Sequence, residues 1–296
     1  MSIQLVPVLD LKAGLAVHAV RGERDRYAPV RSVLAPSADP VALASAFRAA
    51  LGCQACYVAD LDAITGAGDN GAVIRAIAAL GLAVWLDAGV ARAADAARAL
   101  ACGAQRVIVG TETLRDPGEL PAIVTALEAA AAGTGPRPAA RAPAAATGGP
   151  GPAAWGAPPA AATGGAGTAP AGERRAAAAP RRASAVLSLD LRDGRLLGGG
   201  PEVAGRDPGS LAELAWTAGV RAFIVLDLAR VGSGEGVATD AARDLRRRLP
   251  GAEIAVGGGV RHPDDLRALA RAGFDAALVA TALHTGAITR ADLASP

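Results

Sequence analysis

Two aspartates occupy matching surroundings in opposite halves of the chain. Asp10-Leu11-Lys12-Ala13-Gly14 and Asp190-Leu191-Arg192-Asp193-Gly194 each place a carboxylate after a short apolar run and four residues ahead of a glycine. Two carboxylates facing each other can act as general acid and general base, one giving a proton to a leaving oxygen while the other takes one from carbon. Either alone would as readily cap a loop or pair with an arginine. Their equivalent placement is what points to catalysis, and Asp10 and Asp190 are predicted as the catalytic pair.

Glycine turns supply the second chemical signal. Gly257-Gly258-Gly259 and Ala280-Thr281 each follow an apolar run, where bare backbone N–H groups and a helix N-terminus can hold an anion without lysine. The corresponding residues of the first half are Ala88-Gly89 and Gly110-Thr111, with the glycine run broken by Asp87 and Ala88. Phosphate contacts are therefore predicted at Gly258, Gly259, Ala280 and Thr281, and also at Gly89, Gly110 and Thr111. Gly259 would equally serve a tight strand-to-helix turn with no ligand. Asp87 brings a negative charge toward a site meant for a dianion, so either its side chain points elsewhere or this half takes something less charged. His18, Asp60, Asp87 and Asp227 are further candidate substrate contacts.

Other chemistries find less support. Lys12 is the only lysine, which excludes a Schiff-base mechanism using a lysine on any other strand; Lys12 itself reads as an anion-contacting or solvated loop residue. His18, His262 and His284 are too scattered for a metal triad. Asp10, Asp60, Asp62, Asp87, Asp190 and Asp227 near strand ends leave a divalent site open, but no resident metal and no cofactor is expected. Cys53 and Cys56 form a C-x-x-C without a second pair or a nearby histidine, and read as small buried hydrophobes at the start of a strand.

The elements that must position these residues alternate. Short β-rich runs are predicted at Gln4–Leu9, Ala55–Ala59, Ala83–Leu86, Arg106–Val109, Ala185–Leu189, Ala222–Leu226, Glu253–Val256 and Ala276–Val279. Helices are predicted at Pro40–Leu51, Gly71–Leu80, Ala93–Ala101, Pro117–Ala131, Ser210–Ala218, Asp240–Arg248 and Pro263–Ala272, with a short tail after Ile288. Eight βα units predict a (β/α)8 TIM barrel of the α/β class. Its two halves repeat: Leu86-Asp87-Ala88-Gly89-Val90 answers to Val256-Gly257-Gly258-Gly259-Val260, and Val107–Thr111 to Ala277–Thr281, both offset by 170 residues. Ala59-Asp60-Leu61-Asp62 with Gly66 answers to Leu226-Asp227-Leu228-Ala229 with Gly232.

Between the fourth helix and the fifth strand lies a low-complexity stretch of Ala, Gly, Pro, Thr and Arg. It is predicted as a disordered insertion over residues 133–183, separating a first half-barrel (1–132) from a second (184–296) within one barrel domain. Removing it leaves about 245 residues, close to the ~250 of an eight-fold barrel. It joins a helix to the next strand, so it is expected at the barrel face away from the chemistry.

The 296 residues are 51% hydrophobic but only 3% aromatic, which predicts aliphatic packing of parallel strands under Ala-rich helices. The net charge of +2 hides six arginines against one glutamate in the insertion. The rest is about −3, and no basic face for nucleic acid is implied. No apolar run reaches the ~20 residues of a membrane span. Three cysteines leave one over and no leader precedes the first strand, so a cytoplasmic protein is expected.

Taken together, these residues resemble the HisA/HisF family of histidine-biosynthesis barrels. Val6-Pro7-Val8-Leu9-Asp10-Leu11-Lys12-Ala13-Gly14 looks like that family's first strand, Val58-Ala59-Asp60-Leu61-Asp62-Ala63 like its second, and Leu189-Asp190-Leu191-Arg192-Asp193-Gly194 like the HisA form of its fifth. The resemblance implies an Amadori-type ring opening of an aminoimidazole-carboxamide ribonucleotide, with Asp10 as base and Asp190 as acid; such an isomerisation needs both roles. The partner would be a small phosphorylated substrate; no protein partner is readable. Four positions depart from the family pattern: Asp87, Leu226 where a threonine is usual, Val231 where an aspartate is usual, and His18 where Arg or Lys is common. The departures also admit a paralogue serving another pathway, such as pterin-linked one-carbon metabolism, or a barrel that binds a phosphorylated metabolite without turnover. A HisF-like cyclase fits the fifth strand less well.

Overall fold

A computed structural model describes residues 3–132 and 183–294, so residues 133–182 of the expected insertion lie outside the described residues. Eight strands form the barrel: β1 (Gln4–Lys12), β2 (Ala55–Asp60), β3 (Ala83–Asp87), β4 (Ala104–Gly110), β5 (Ser184–Arg192), β6 (Ala222–Asp227), β7 (Glu253–Gly257) and β8 (Ala276–Val279). Neighbours pair in parallel all the way round. Arg106↔Ser184 joins the two halves, and Gln4↔Ala276 through Pro7↔Val279 closes β8 onto β1. The helices that alternate with the strands are α1 (Pro40–Ala49), α2 (Gly71–Ala79), α3 (Ala93–Ala101), α4 (Leu120–Ala131), α5 (Pro208–Thr217), α6 (Asp240–Arg248), α7 (Pro263–Arg271) and α8 (Arg290–Ala294), and two short helices, Leu61–Thr65 and Thr281–His284, follow β2 and β8.

Strands buried on both faces read as continuous apolar runs, and side-chain alternation sorts them into two cores. Leu9, Leu11, Val58, Leu86, Val107, Val109, Leu187 and Leu189 point outward beneath the helices. Val6, Tyr57, Trp85, Ile108, Val186, Ile224 and Leu278 point into the barrel. The expectation of purely aliphatic packing fails inside the barrel. There Trp85 and Tyr57 fill the lumen, because a closed eight-stranded cylinder leaves a central space that needs large side chains. At the N-terminal end the Arg106 guanidinium forms a two-pronged pair with Glu253 at 2.8 Å and lies 4.3 Å over the Trp85 ring. A charge in the lumen is tolerable because it is paired and stacked.

Helix starts follow the sequence signals. Asp39 accepts from the Val41 amide ahead of Pro40. Asp207 accepts from Ser210, so α5 begins at Pro208, two residues before its predicted start. Each half opens with a hairpin that the strand prediction did not contain: Leu15–His18 folds back on β1, and Arg195–Leu196 on β5. The turn residues Ala13 (φ 51°) and Gly14 (φ 79°) repeat as Asp193 (φ 52°) and Gly194 (φ 75°). Two consecutive left-handed residues make the tight turn whose twist suits a two-residue hairpin.

Candidate active site

Alternation along each strand decides what reaches the barrel mouth. The inward-facing residues at the C-terminal ends of β1, β3 and β5 are Asp10, Asp87 and Asp190; the equivalent on β7 is Gly257. The three carboxylates line one cavity of about 310 Å³ with Tyr27, Tyr57, Glu112 and Arg24. Asp190 is the most heavily bonded. Ser188 Oγ donates to its Oδ1 at 2.7 Å, and the Glu112 amide donates to its Oδ2 at 3.3 Å. Its own amide donates to Thr111 Oγ1 at 2.9 Å. Asp87 accepts from Tyr57 Oη and from the Gly89 amide, both at 3.2 Å. Gly110 lies between these carboxylates: a Cβ there would stand 3.1 Å from Asp190 Oδ2 and 3.5 Å from Asp87 Oδ2.

Burial disfavours charge on all three, and each negative neighbour adds to the effect. Asp10 is pushed up to about 7 by burial and then by Asp87, against the opposing pull of Arg24. Asp190 also rises to about 7, through burial and Asp87, although the Ser188 and Glu112 donors favour its ionised form. Asp87 rises to about 6 through burial, moderated by the Gly89 and Tyr57 hydrogen bonds. Groups titrating near neutrality in one cleft are what proton transfer requires. Above them Arg24 pairs with Glu112 at 2.7 Å.

The second-half glycine turns open onto the same cavity. Gly258, Gly259, Ala280 and Thr281 line it, as do His18, Arg192 and Arg261. Neither the Gly258 nor the Gly259 amide has a hydrogen-bond acceptor among the described residues. Both glycines have positive φ (84° and 98°), and a Cβ would fall 2.6 Å from the Asp227 carbonyl or 2.3 Å from that of Gly236. Close backbone approach therefore excludes any other residue. His18 Nε2 shares a hydrogen bond with Thr281 Oγ1 at 3.1 Å.

The first-half turn residues lie apart from this cavity. Gly89, Gly110 and Thr111 are not among its lining residues. The Gly89 amide is held by Asp87, and Thr111 is fully buried against Asp190. Asp60 and Asp227 are also away from the lining. Asp60 caps the short helix Leu61–Thr65 through Ala63 and binds Asn70 at 2.7 and 2.8 Å, and Asp227 caps Leu228–Arg230 through Ala229. These equivalent aspartates shape two loops. Asp62 joins the first by accepting from the Ala13 amide at 2.7 Å, which ties the β1 hairpin to β2. Lys12 Nζ donates to the Arg24 carbonyl. Cys53 and Cys56 are buried, as read from their setting.

Sequence reasoning missed Tyr57, Ser188, Glu112 and Arg24. Two of these carried a signal: Ser188 lies two residues before Asp190 and so shares its face, and Tyr57 is one of only two tyrosines, both of which line the cavity. Arg24 and Glu112 sit in loops, where no periodicity marks them. Among the described residues no group of three or more His, Cys, Asp or Glu side chains is arranged to ligate a metal ion, and no helix is long and apolar enough to cross a membrane.

The family described as "Histidine biosynthesis protein" matches residues 4–132 and 165–289, which include all eight barrel strands. The chain belongs to this family. Within the histidine biosynthesis protein family it resembles a 1-(5-phosphoribosyl)-5-((5-phosphoribosylamino)methylideneamino)imidazole-4-carboxamide isomerase of Deinococcus radiodurans, 30% identical over 292 residues, covering 96% of this chain and 95% of the relative. A phosphoribosyl isomerase A of Streptomyces griseus is 28% identical over 294 residues, with 97% and 95% covered. An uncharacterized protein of Methanocaldococcus jannaschii is 27% identical over 287 residues, with 97% and 95% covered.

Proposed function

We propose that this chain isomerises a phosphorylated ribosyl-amine compound by acid–base catalysis, with Asp10 and Asp190 as the pair and the backbone around Gly258, Gly259, Ala280 and Thr281 holding a phosphate. One observation carries the reading: a single cavity is lined both by two carboxylates raised to about 7 and by glycine turns with unengaged amides. At neutral pH one carboxylate can be ionised while the other keeps its proton, since the charge of Asp87 opposes ionising both.

The roles follow the family resemblance. Protonated Asp190 gives its proton to the ring oxygen as the C1–O bond breaks and the nitrogen lone pair forms an iminium at C1. Ionised Asp10, favoured in that form by Arg24, removes the proton from C2 to leave an enaminol. Gain of a proton at C1 and loss of the C2 hydroxyl proton complete the ketose. Asp10→Asn and Asp190→Asn are each expected to lower kcat by ~10²- to 10⁴-fold with little change in substrate binding. A variant retaining more than about a tenth of the rate would remove its carboxylate from the mechanism.

The first substrate to assay is the carboxamide in the relatives' name, together with rescue of a strain lacking the histidine-pathway isomerase. A second reading keeps the chemistry and changes the pathway, for instance to pterin-linked one-carbon metabolism. It is favoured by Asp87, Leu226 and Val231, all of which line the cavity. Failure to turn over the carboxamide combined with failure to rescue selects the second reading. A non-catalytic phosphometabolite binder would keep its biological role after Asp190→Asn, whereas an isomerase would not.

A further inference from the structure

The cavity has one anion cradle where a duplicated barrel has places for two. On the second-half side, the Gly258 and Gly259 amides have no acceptor and Thr281 presents its hydroxyl beside His18. On the first-half side the Gly89 amide and the Thr111 side chain are engaged. The Gly89 amide bonds Asp87 at 3.2 Å, Thr111 Oγ1 accepts from the Asp190 amide at 2.9 Å, and Gly110 sits beneath two carboxylates. What the first half offers instead is hydrogen-bond acceptors: Asp87 lines the cavity together with Glu112. A phosphate placed there would meet the negative charge of Asp87, with the Gly89 amide already engaged. Like charges juxtaposed in a desolvated site weaken binding.

We propose that Asp87 is a specificity-determining residue that makes the natural substrate a monophosphate, with its phosphate at the Gly258–Gly259 turn and an amine or other hydrogen-bond donor facing Asp87. This inference rests on the acid–base isomerase reading and narrows it. The substrate named for the Deinococcus relative carries two phosphoribosyl groups, so the chain would discriminate against that compound's second phosphate. Space for the side chain comes from a compensating exchange. The small Ala59 pairs with Asp87 on the neighbouring strand, whereas Leu226 pairs with Gly257 in the second half. Arg24 and Glu112 neutralise one another across the mouth at 2.7 Å, which leaves Asp87 without a salt-bridge partner among the described residues.

Three probes that differ only at C1 test this with the full-length protein by calorimetry: ribulose 5-phosphate, 1-amino-1-deoxyribulose 5-phosphate and ribulose 1,5-bisphosphate. Wild type should bind the amine at least about 10-fold tighter than the bisphosphate, with the plain ketose between them. Asp87→Gly, which restores a bare turn, should raise bisphosphate affinity by about 10-fold and abolish the preference for the amine. Asp87→Asn keeps a side chain that can bond Tyr57, guards against a folding failure of the glycine variant, and should shift the order the same way by a smaller factor. Equal or tighter binding of the bisphosphate by wild type overturns the proposal, as does an unchanged order in both variants. Binding is read without turnover. An inverted order together with a rate lost in Asp10→Asn therefore rejects the monophosphate inference alone, whereas no binding of any probe removes the phosphate cradle and the isomerase reading with it.

Discussion

The ends of β3 and β7 occupy the same place in two copies of one half-barrel, yet they present opposite surfaces. At β7 the backbone of Gly258 and Gly259 borders the cavity and both amides are left open. At β3 a carboxylate projects inward and captures the amide two residues on. A Cβ on Gly257 would lie 2.9 Å from Leu226 Cδ1 and 3.1 Å from Leu278 Cβ, so the large neighbour disfavours a side chain there. On β3 the neighbour is Ala59, and the freed volume admits Asp87. A large-for-small exchange between adjacent strands thus accompanies the replacement of a bare turn with open amides by a buried carboxylate. Duplication supplies the symmetry, and packing in each copy decides what it can bind.

The largest expected effect comes from forcing the halves to match. Gly257→Asp combined with Leu226→Ala, which makes room for the new side chain, should weaken phosphate-dependent binding by about 100-fold through like-charge repulsion at the cradle. Calorimetry with ribulose 5-phosphate reads this directly, and binding within a factor of two of wild type would mean that the β7 turn is not where the phosphate sits.

A smaller effect is expected from the contact that only the first half contains. Gly110→Ala places a methyl 3.1 Å from Asp190 Oδ2, so the carboxylate must give by a few tenths of an ångström. Displacement of a catalytic group on this scale should lower kcat by about 10-fold with KM little changed. An unaltered kcat would show that the position of Asp190 tolerates the shift.

The smallest effect is a stability difference with a definite sign. Asp10 and Asp190 move from an ordinary value of 3.8 up to about 7 on folding. Between those values the folded protein holds more protons than the unfolded chain. The stability contributed by these groups is complete below 3.8 and falls as pH rises toward 7. Relative to wild type, Asp190→Asn should therefore gain roughly 2 to 3 kcal/mol between pH 5 and pH 8. Parallel denaturation midpoints across that range would show that Asp190 is not held protonated. With Asp190 held protonated in the folded protein, the variant is more stable than wild type near pH 8 and far less active, as expected where a site keeps buried carboxylates together.

The order of elements was legible because periodicity and turn chemistry are local. The strand predictions fall within the observed strands, and α3 and α6 have the predicted bounds. The hairpins at Leu15–His18 and Arg195–Leu196 were not legible as strands, because their pairing depends on the folded turn more than on any apolar run. The repeat marked Asp10 and Asp190, but it also suggested that first- and second-half turns do the same work. Gly89, Gly110 and Thr111 instead surround carboxylates, while Asp60 and Asp227, with the same motif standing as Asp10, shape loops. Motif and spacing carry no information on which way a loop carboxylate faces.

By itself the sequence determined the eight-fold alternation, its duplication and the two strand ends that carry catalytic candidates, since each is written in short-range patterns of residue type. Only the tertiary structure decided that Asp87 joins those aspartates and engages the Gly89 amide, and that Tyr57, Ser188, Glu112 and Arg24 modulate the rise that burial imposes on them. Those outcomes depend on side-chain volumes and desolvation among residues brought together from different strands, and neither exists until the barrel closes.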